Sequence, residues 1–464
     1  MKNKKFDLVV IGAGSGGVRA ARTAAKLGAR VAIIEERYLG GTCVNVGCVP
    51  KKVMVYASEF KETFELAHGY GWEASKPEFN WQSLRENIEG LLGRLNNIYK
   101  DLLDDSGVET FWGTGRLTGS NTIRVTKSDV ENVKTEAADI DIEADKIILA
   151  TGGWPNKGKF EGAELCVTSN EIFSLEQFPK SILILGGGYI AAEFSCIFNG
   201  LGSEVHLVFR KDGILKSFDD DVTRHVMSEM DAAGVNMHAN TGVEKIEKKG
   251  GRLQVTLLDG SSIEVDQVLA AIGRHPKLEG LGLEHTVVVR EPTGHVEVDR
   301  TFQTNEPSIY AIGDIVGNLD LTPVALNEGM YLARHLFEEG FDLREIEYDK
   351  VATAIFTQPN IGVLGMTESD ATEAFGEVSV YESSFRPLKT AFASSEARSY
   401  MKIIVRDSDE HVVGMHIACP DAGEIMQGFS ALFQRGITKT ELDRTIGIHP
   451  TIAEELVTMR DKRS

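Results

Sequence analysis

The chain has 464 residues, of which 42% are hydrophobic and 25% are charged, a composition that is ordinary for a folded protein and argues against disorder. This length exceeds a single hydrophobic core and predicts about three domains. The formal net charge of −20 argues against a surface for nucleic acid or for an anionic membrane.

The N-terminus, MKNKKFDLVVIGAG, contains only a short apolar run before its first glycine. A signal peptide needs a longer apolar core, and no stretch of the chain has the roughly 18 apolar residues of a membrane span. There are only five cysteines. We therefore expect a cytoplasmic protein, in a reducing compartment where lasting structural disulfides are rare.

A strand, a glycine turn, a helix and a second strand are predicted next. Asp7–Ile11 is a short, branched apolar run, typical of a buried parallel strand. The helix runs to Leu27, and the second strand, Val31–Ile34, ends at Glu35. Glycines let the backbone approach a pyrophosphate, the helix N-terminus stabilises its charge, and the carboxylate accepts ribose hydroxyls. The turn between the first strand and the helix has the dinucleotide-binding spacing G-x-G-x-x-G at Gly12, Gly14 and Gly17.

The segment GGTCVNVGCVPKK, residues 40–52, holds Cys43 and Cys48, which are candidates for metal ligands, a structural staple or a redox-active disulfide. Zinc usually needs four ligands, and the next cysteine, Cys166, has no matched partner. On a regular helix this pair is separated by about 7.5 Å of rise, beyond the roughly 7 Å that a disulfide tolerates between α-carbons, so a bridge must distort the turn. Pro50 assists this distortion because it lacks an N–H. A strained bridge is easily reduced, which favours the redox interpretation.

A second glycine turn has the related spacing G-x-G-x-x-A at Gly186, Gly188 and Ala191. Glu35 follows Gly12 by 23 residues, and the same step from Gly186 reaches Phe209. Arg210 follows directly, and Lys216 comes slightly later. Loss of the acid and gain of cations suits a ribose 2′-phosphate, so this site is predicted to prefer NADPH over NADH.

Two unlike dinucleotide sites in one chain predict a bound flavin and a diffusible nicotinamide. Residues 147–153 and 268–274 are apolar strands that end in small residues, suitable for closing each nucleotide domain. Residues 308–315 form a further strand that places Asp314 beside a glycine, as a ligand for the flavin's sugar chain.

The domain boundaries are predicted near Trp154-Pro155 and His275-Pro276, because X-Pro steps favour extended linkers. From about residue 341 the pattern changes to antiparallel strands, followed by helices around 421–436 and 452–460. The predicted fold class is α/β, with two Rossmann-like dinucleotide-binding domains and a C-terminal α+β dimerisation domain. Its parts are an FAD-binding domain at 1–154 that resumes at 276–340, an NADPH-binding domain at 155–275, and an interface domain at 341–464.

Five motifs, at 40–52, 186–191, 311–314, 321–325 and 449–460, give the chain a resemblance to the pyridine nucleotide–disulfide oxidoreductases over essentially its full length. The resemblance implies an enzyme that binds FAD and NADPH, reduces glutathione disulfide and maintains thiol redox balance. It also implies a homodimer with shared active sites, without metal, nucleic acid or membrane partners.

The resemblance also implies roles for residues around the cysteine pair. Cys48 matches the sulfur next to the flavin, and Cys43 matches the interchange thiol that attacks the substrate disulfide. Lys51 and Glu193 match an ion pair near the flavin N5, and Tyr189 matches the ring that covers the nicotinamide pocket.

His449 precedes Pro450 near the C-terminus. The reaction requires a base to activate the interchange thiol and to protonate the departing thiolate. Glu454, five residues later, is expected to hold the imidazole tautomer. The resemblance implies that this histidine reaches the active site of the other subunit.

Substrate-facing positions of the family match Ser15, Arg19, Arg22 and Tyr99. Two arginines on one helical turn suit the carboxylates of glutathione disulfide and would repel a polyamine-linked disulfide. Met330 stands where many glutathione-disulfide-reducing members carry an arginine. The other residues assigned to cofactor binding are Thr42, Gly152, Arg274 and Thr322, together with Ser15, which is assigned to both substrate and cofactor.

Two alternatives stay open. One is a related flavoprotein reductase of another low-molecular-weight disulfide, such as a trypanothione-like one. The other is a non-catalytic flavin-bound scaffold, which would not need both cysteines, His449 and Glu454.

Overall fold

A computed structural model describes residues 4–73, 77–128, 139–342 and 344–463. The strands, in chain order, are β1 (Lys4–Ile11), β2 (Val31–Glu35), β3 (Glu109–Trp112), β4 (Thr114–Gly119), β5 (Thr122–Thr126), β6 (Ile140–Leu149), β7 (Gly153–Pro155), β8 (Ser181–Leu185), β9 (Glu204–Val208), β10 (Asn236–His238), β11 (Val243–Lys249), β12 (Arg252–Leu257), β13 (Ser262–Val265), β14 (Gln267–Ala270), β15 (Arg274–Pro276), β16 (Ile309–Ala311), β17 (Thr353–Ile355), β18 (Ile361–Gly365), β19 (Val378–Phe385), β20 (Ser399–Arg406) and β21 (Val412–Ala418). The α-helices are α1 (Ser15–Lys26), α2 (Gly41–Asn45), α3 (Cys48–Ala67), α4 (Trp81–Asp104), α5 (Tyr189–Leu201), α6 (Asp220–Ala232), α7 (Thr322–Phe337), α8 (Glu368–Phe375), α9 (Leu388–Phe392), α10 (Ala422–Phe433), α11 (Lys439–Arg444) and α12 (Glu455–Thr458).

The chain divides into two compact units, each assembled from three segments. The first comprises Met1–Lys51, Gln82–Asn156 and Arg274–Ile346, and the second comprises Lys52–Trp81, Lys157–Gly273 and Glu347–Ser464. The four-part domain division given by the sequence stays a prediction.

A seven-stranded sheet forms the centre of the first unit. Strands β3, β2, β1 and β6 are parallel in that order, β16 pairs in parallel with the end of β6, and β5 and β4 continue antiparallel. Along β1, Val9 and Ile11 belong to the core on one face, and Leu8 and Val10 belong to the core on the other. The near-continuous apolar sequence of β1 therefore follows from burial on both faces. Of the predicted strand at 147–153, residues 147–149 are the end of β6, which starts at Ile140, and Gly153 begins β7.

Helices α1 and α7 of this unit pack closely because both carry glycine at the contact. A Cβ added at Gly329 would lie 2.4 Å from the carbonyl oxygen of Gly16. A Cβ added at Gly16 would lie 3.1 Å from the carbonyl oxygen of Ala325. The two helix backbones therefore approach to a distance that a side chain would prevent.

The second unit contains a parallel sheet in the order β10, β9, β8 and β14, and an antiparallel sheet of β11, β12 and β13. It also contains a five-stranded antiparallel sheet in the order β17, β18, β21, β20 and β19. The sequence predicted antiparallel strands here but not β21, which lies between β18 and β20. The helix expected near 452–460 is limited to Glu455–Thr458.

Within the ranges described above, no helix is both long and apolar enough to cross a membrane.

Candidate active site

The first glycine turn connects β1 to α1 without room for side chains. Gly12 has φ +104°, and a Cβ there would lie 2.3 Å from the carbonyl oxygen of Ala150. Gly14 is the N-cap of α1, so no side chain caps the free backbone N–H groups of this helix. The first turn of the helix also has no acidic residue. A Cβ at Gly14 would meet only the Cα of Gly41, at 3.9 Å. An uncapped, uncharged helix N-terminus next to open space fits a pyrophosphate.

Glu35 stands at the end of β2, beside this turn. It is buried, and its carboxylate accepts hydrogen bonds from the backbone N–H of Ala13 (2.7 Å) and of Arg37 (2.8 Å). Burial raises the pKa of Glu35, and these two hydrogen bonds oppose the rise. Gly12, Glu35 and Thr151 line one cavity. A cavity with a buried carboxylate beside a glycine turn suits the ribose of a dinucleotide, whose hydroxyls donate to the carboxylate.

Asp314 and Arg274 lie near each other, with 3.9 Å between the Arg274 Nη2 and an Asp314 carboxylate oxygen. Arg274 also donates to the carbonyl of Gly153 (2.6 Å). Gly152 has φ +71°, and a Cβ there would meet no atom within 4 Å. Thr42, in contrast, is exposed in α2.

A helix break separates the two cysteines. Cys43 lies in the short helix α2, and Cys48 is the first residue of α3. Between them, a Cβ at Gly47 would lie 2.8 Å from the carbonyl oxygen of Thr42, so glycine is needed for this close approach. The Cys48 Sγ is 3.8 Å from the Oγ1 of Thr322, the first residue of α7. The distortion expected from the cysteine spacing is therefore present.

The two thiols have opposite acidities. The pKa of Cys48 is lowered to about 6, chiefly by a hydrogen bond from Cys43 and in smaller part by Lys51 and Thr322, against the opposing effect of burial. The pKa of Cys43 is raised by the same hydrogen bond and by burial. Both are free cysteines, with Cys43 partly buried and Cys48 exposed. This arrangement stabilises a thiolate at Cys48 and a protonated thiol at Cys43.

The predicted substrate-facing residues share an electrostatic environment with Cys43. Burial raises the pKa of Tyr99, and the charge of Cys43 raises it further, whereas Arg19 and Arg22 lower it. Arg19 is exposed, Arg22 donates to the Ser106 hydroxyl at 3.4 Å, and Ser15 begins α1. Tyr99 therefore lies within electrostatic reach of both Cys43 and the two arginines.

The second glycine turn connects β8 to α5 in the same way. Gly186 has φ +140°, and a Cβ there would lie 2.2 Å from the carbonyl oxygen of Ala271. Gly188 caps α5 without a side-chain bond, no atom lies within 4 Å of its added Cβ, and Ala191 is buried in the first turn. Tyr189 is 40% exposed, which leaves its ring accessible at the start of the helix.

Phe209 is 2% exposed, so its ring belongs to the core and provides no ribose ligand. The loop that follows returns to the glycine turn, since the N–H of Leu215 donates to the carbonyl of Gly187 (2.6 Å). Arg210 is exposed, and Lys216 forms an ion pair with Asp212 at 2.9 Å. Both predicted cations therefore lie on one loop attached to the second glycine turn.

A buried charge cluster, which no sequence pattern predicted, holds the end of this loop in place. Asp219 caps α6, and both of its carboxylate oxygens lie 2.9 Å from the Nζ of Lys402, which is 1% exposed. Glu368 lies 2.6 Å from the same nitrogen. Burial would raise the pKa of Asp219, but Lys402 reverses this effect and the pKa is lowered. No local motif marks Lys402, which lies in β20, far from α6 in the chain.

His449 is held by the residue expected to orient it. Its Nδ1 lies 3.1 Å and 3.2 Å from the two carboxylate oxygens of Glu454, and the N–H of Thr451 donates to the same carboxylate (3.2 Å). This contact leaves Nε2 as the outward nitrogen, on a side chain that is 81% exposed. Ile446 and Ile448 are 93% and 77% exposed. Apolar side chains so exposed are typical of a surface covered by another subunit.

Glu193 is fully buried and accepts a hydrogen bond from the backbone N–H of Phe356 (2.9 Å). Lys51 belongs to the first unit and Glu193 to the second, so their ion pair stays a prediction, as does the meeting of His449 with Cys43. Across the described ranges, no cluster of three or more histidine, cysteine, aspartate or glutamate side chains has the arrangement of a metal site.

Comparisons with known proteins identify the family. The defining pattern of the pyridine nucleotide-disulphide oxidoreductases matches residues 6–329, and the dimerisation domain of the same family matches residues 351–460. A glutathione reductase of Burkholderia cepacia is 41% identical over 463 residues, covering 100% of both chains. A glutathione reductase of Nostoc sp. is 40% identical, covering 98% of this chain and 99% of its own. The chloroplastic/mitochondrial glutathione reductase of Pisum sativum is 40% identical, covering 98% of this chain and 82% of its own. The chain therefore belongs to the pyridine nucleotide-disulphide oxidoreductase family.

Proposed function

We propose that the chain is an FAD-dependent enzyme that uses NADPH to reduce glutathione disulfide through a Cys43–Cys48 pair. The observation that carries the proposal is the placement of Cys43 and Cys48 on either side of a helix break, with Cys48 beside Thr322 at the N-terminus of α7. The opposite shifts of the two thiol pKa values support it. Relatives of full-length similarity that are named glutathione reductases support the choice of substrate.

When bound, NADPH supplies a hydride and FAD transfers the resulting electron pair. Reduction of the Cys43–Cys48 bond by this electron pair and one proton would leave Cys48 as a thiolate beside Thr322 and Cys43 as the protonated interchange thiol. A general base removes the proton from Cys43, whose sulfur then attacks one sulfur of the substrate. One glutathione leaves as a thiolate and takes a proton. Cys48 then attacks the Cys43 sulfur, which re-forms the enzyme disulfide and releases the second glutathione.

We assign the proton transfers to His449. Its Nδ1 is held by Glu454, so Nε2 is the nitrogen that accepts the proton from Cys43 and returns it to the departing thiolate. The match of residues 351–460 to a dimerisation domain supports a homodimer. In this proposal each active site receives the histidine of the second subunit, and a cytoplasmic location suits the reducing conditions in which the product is used.

Arg19 and Arg22 are proposed to select glutathione disulfide by pairing with its carboxylates. The test is NADPH oxidation by the holoenzyme with glutathione disulfide, trypanothione disulfide, lipoamide and bis-γ-glutamylcystine. Wild type should prefer glutathione disulfide. The variant Arg19→Glu with Arg22→Glu should raise the KM for it by about tenfold or more, because two attractive contacts of about 1 kcal/mol each become repulsive.

The control is Arg124→Glu, which reverses the charge of an exposed arginine that pairs with Asp141 in the same unit. It should leave the KM within about twofold of the wild-type value. Flavin reduction by NADPH should be the same in all forms. Preference for a different disulfide would replace the substrate assignment with the related-reductase alternative, and absence of NADPH oxidation with every disulfide would favour the scaffold.

A further inference from the structure

Lys277 lies at the cavity of the first glycine turn, in a position that the motifs do not mark. Its Nζ forms an ion pair with Glu36 and lies 4.4 Å from the centre of the Trp154 ring. The guanidinium carbon of Arg37 lies 4.9 Å from the centre of the same ring. Lys277 and Glu36 line the cavity together with Glu35.

The backbone of Lys277 is fixed at the end of β6. Its N–H donates to the carbonyl of Gly152 (2.8 Å), and its carbonyl accepts from the Thr151 hydroxyl (2.7 Å). Glu36 is held from the opposite side by the Thr114 hydroxyl (3.2 Å). Both side chains of the ion pair are only about a quarter exposed, at 27% and 26%. The pair is therefore a fixed part of the cavity wall.

The charge of Lys277 has a specific consequence for the ligand. Glu35 and Glu36 are adjacent carboxylates, and a flavin nucleotide bound at the first glycine turn would bring a negatively charged diphosphate near them. Glu36 disfavours the ionised form of Glu35, whereas Lys277 favours it. Without Lys277, Glu36 would be left unneutralised beside a second carboxylate and an anionic ligand, which is a repulsive arrangement.

We propose that Lys277 is a positioning residue that retains FAD by neutralising Glu36 next to the ribose-binding carboxylate of Glu35. This inference rests on the proposed function, since it requires that the first glycine turn binds FAD. The Trp154 ring restricts the lysine ammonium to the cavity mouth through a cation–π contact.

The test measures the rate of FAD release from the holoenzyme after dilution, followed by flavin fluorescence. Lys277→Met should release FAD about threefold to tenfold faster, the effect of losing one partly buried charge pair. Lys277→Arg should stay close to wild type because it keeps the charge. The control Lys5→Met removes an exposed lysine that pairs with Asp145 in the same unit, and its release rate should be unchanged.

The decisive variant is Lys277→Met combined with Glu36→Gln. If the unneutralised Glu36 carboxylate causes the faster FAD release of Lys277→Met, removing that carboxylate should return the release rate to within about twofold of wild type. A merely structural role would leave the double variant as fast as Lys277→Met or faster. Equal release from wild type and Lys277→Met would overturn the inference while leaving the proposed function intact. A wild-type protein without bound flavin would instead overturn the proposed function. Should Lys277→Met fold poorly, Glu36→Gln alone is informative, because faster release from it would contradict the electrostatic argument.

Discussion

The acidity of Cys48 provides a sharp test of the roles given to the two cysteines. The hydrogen bond from Cys43 is the largest cause that lowers the pKa of Cys48 from an ordinary value of 9.0 to about 6. Cys43→Ala removes this donor, whereas Cys43→Ser keeps a hydroxyl donor in its place. The pKa of Cys48 should therefore rise by at least one pH unit in the alanine variant and stay nearer to 6 in the serine variant.

The size of the effect follows from the position of the pKa. A pKa of about 6 gives roughly ten thiolates for each thiol at pH 7, whereas a value of 9.0 gives about one thiolate in a hundred. The thiolate form of Cys48 is thus present above pH 6 and is lost as the pH falls through this value. Lys51 and Thr322 also lower the pKa, so the alanine variant should not reach 9.0.

The assay is the rate of Cys48 alkylation by iodoacetamide between pH 4 and 10, read by mass spectrometry of the reduced protein. Absorbance of the thiolate against oxidised flavin gives a second titration at long wavelength. Cys166→Ala is the control, because burial raises the pKa of that thiol to about 12 and it should contribute nothing to the curve. Equal titration midpoints for the alanine and serine variants, whatever their common value, would refute the hydrogen-bond argument.

Two further predictions concern the nicotinamide site and the dimer. Arg210→Ala with Lys216→Ala should raise the KM for NADPH about tenfold or more and leave the KM for NADH within about twofold, because the variant loses charge-assisted contacts to the 2′-phosphate. The control Lys245→Ala removes an exposed lysine that pairs with Glu247 and should change neither KM. Equal effects on both cofactors would remove the phosphate assignment. Inactive Cys43→Ser and His449→Ala chains, reassembled together with FAD, should recover about a quarter of native activity. About half of the dimers are then mixed, and each mixed dimer has one intact site of its two. No recovery from proven mixed dimers would place the histidine in its own subunit's site.

The sequence was sufficient for features that depend on local backbone geometry. Both glycine turns were predicted from spacing, because a sharp strand-to-helix turn requires glycine where a Cβ would clash with the backbone. At Gly12 and Gly186 that backbone follows the strand that pairs with the one before the turn. The 23-residue step to Phe209 likewise depends on a regular strand–helix–strand repeat. The break between Cys43 and Cys48 was predicted because a continuous helix separates this pair too far.

Features formed by distant segments were beyond local patterns. Lys277 is 241 residues from Glu36, and Lys402 is 183 residues from Asp219. Neither lysine belongs to a motif, because a single charge needs only a partner and not a particular backbone. The pKa of Cys48 could not be predicted from spacing either, since Thr322, which helps to lower it, is 274 residues away in the chain.

The contact between α1 and α7 limits how far the distance between these two helices can vary. Gly16 and Gly329 meet through backbone atoms, so no rotatable side chain lies between the helices at this point. One helix begins at the dinucleotide turn, and the other begins at Thr322 beside the Cys48 sulfur. Rotamer exchange, which loosens ordinary helix packing on the nanosecond scale, has nothing to act on here. The spacing of the two helices at this contact is therefore set by main-chain atoms.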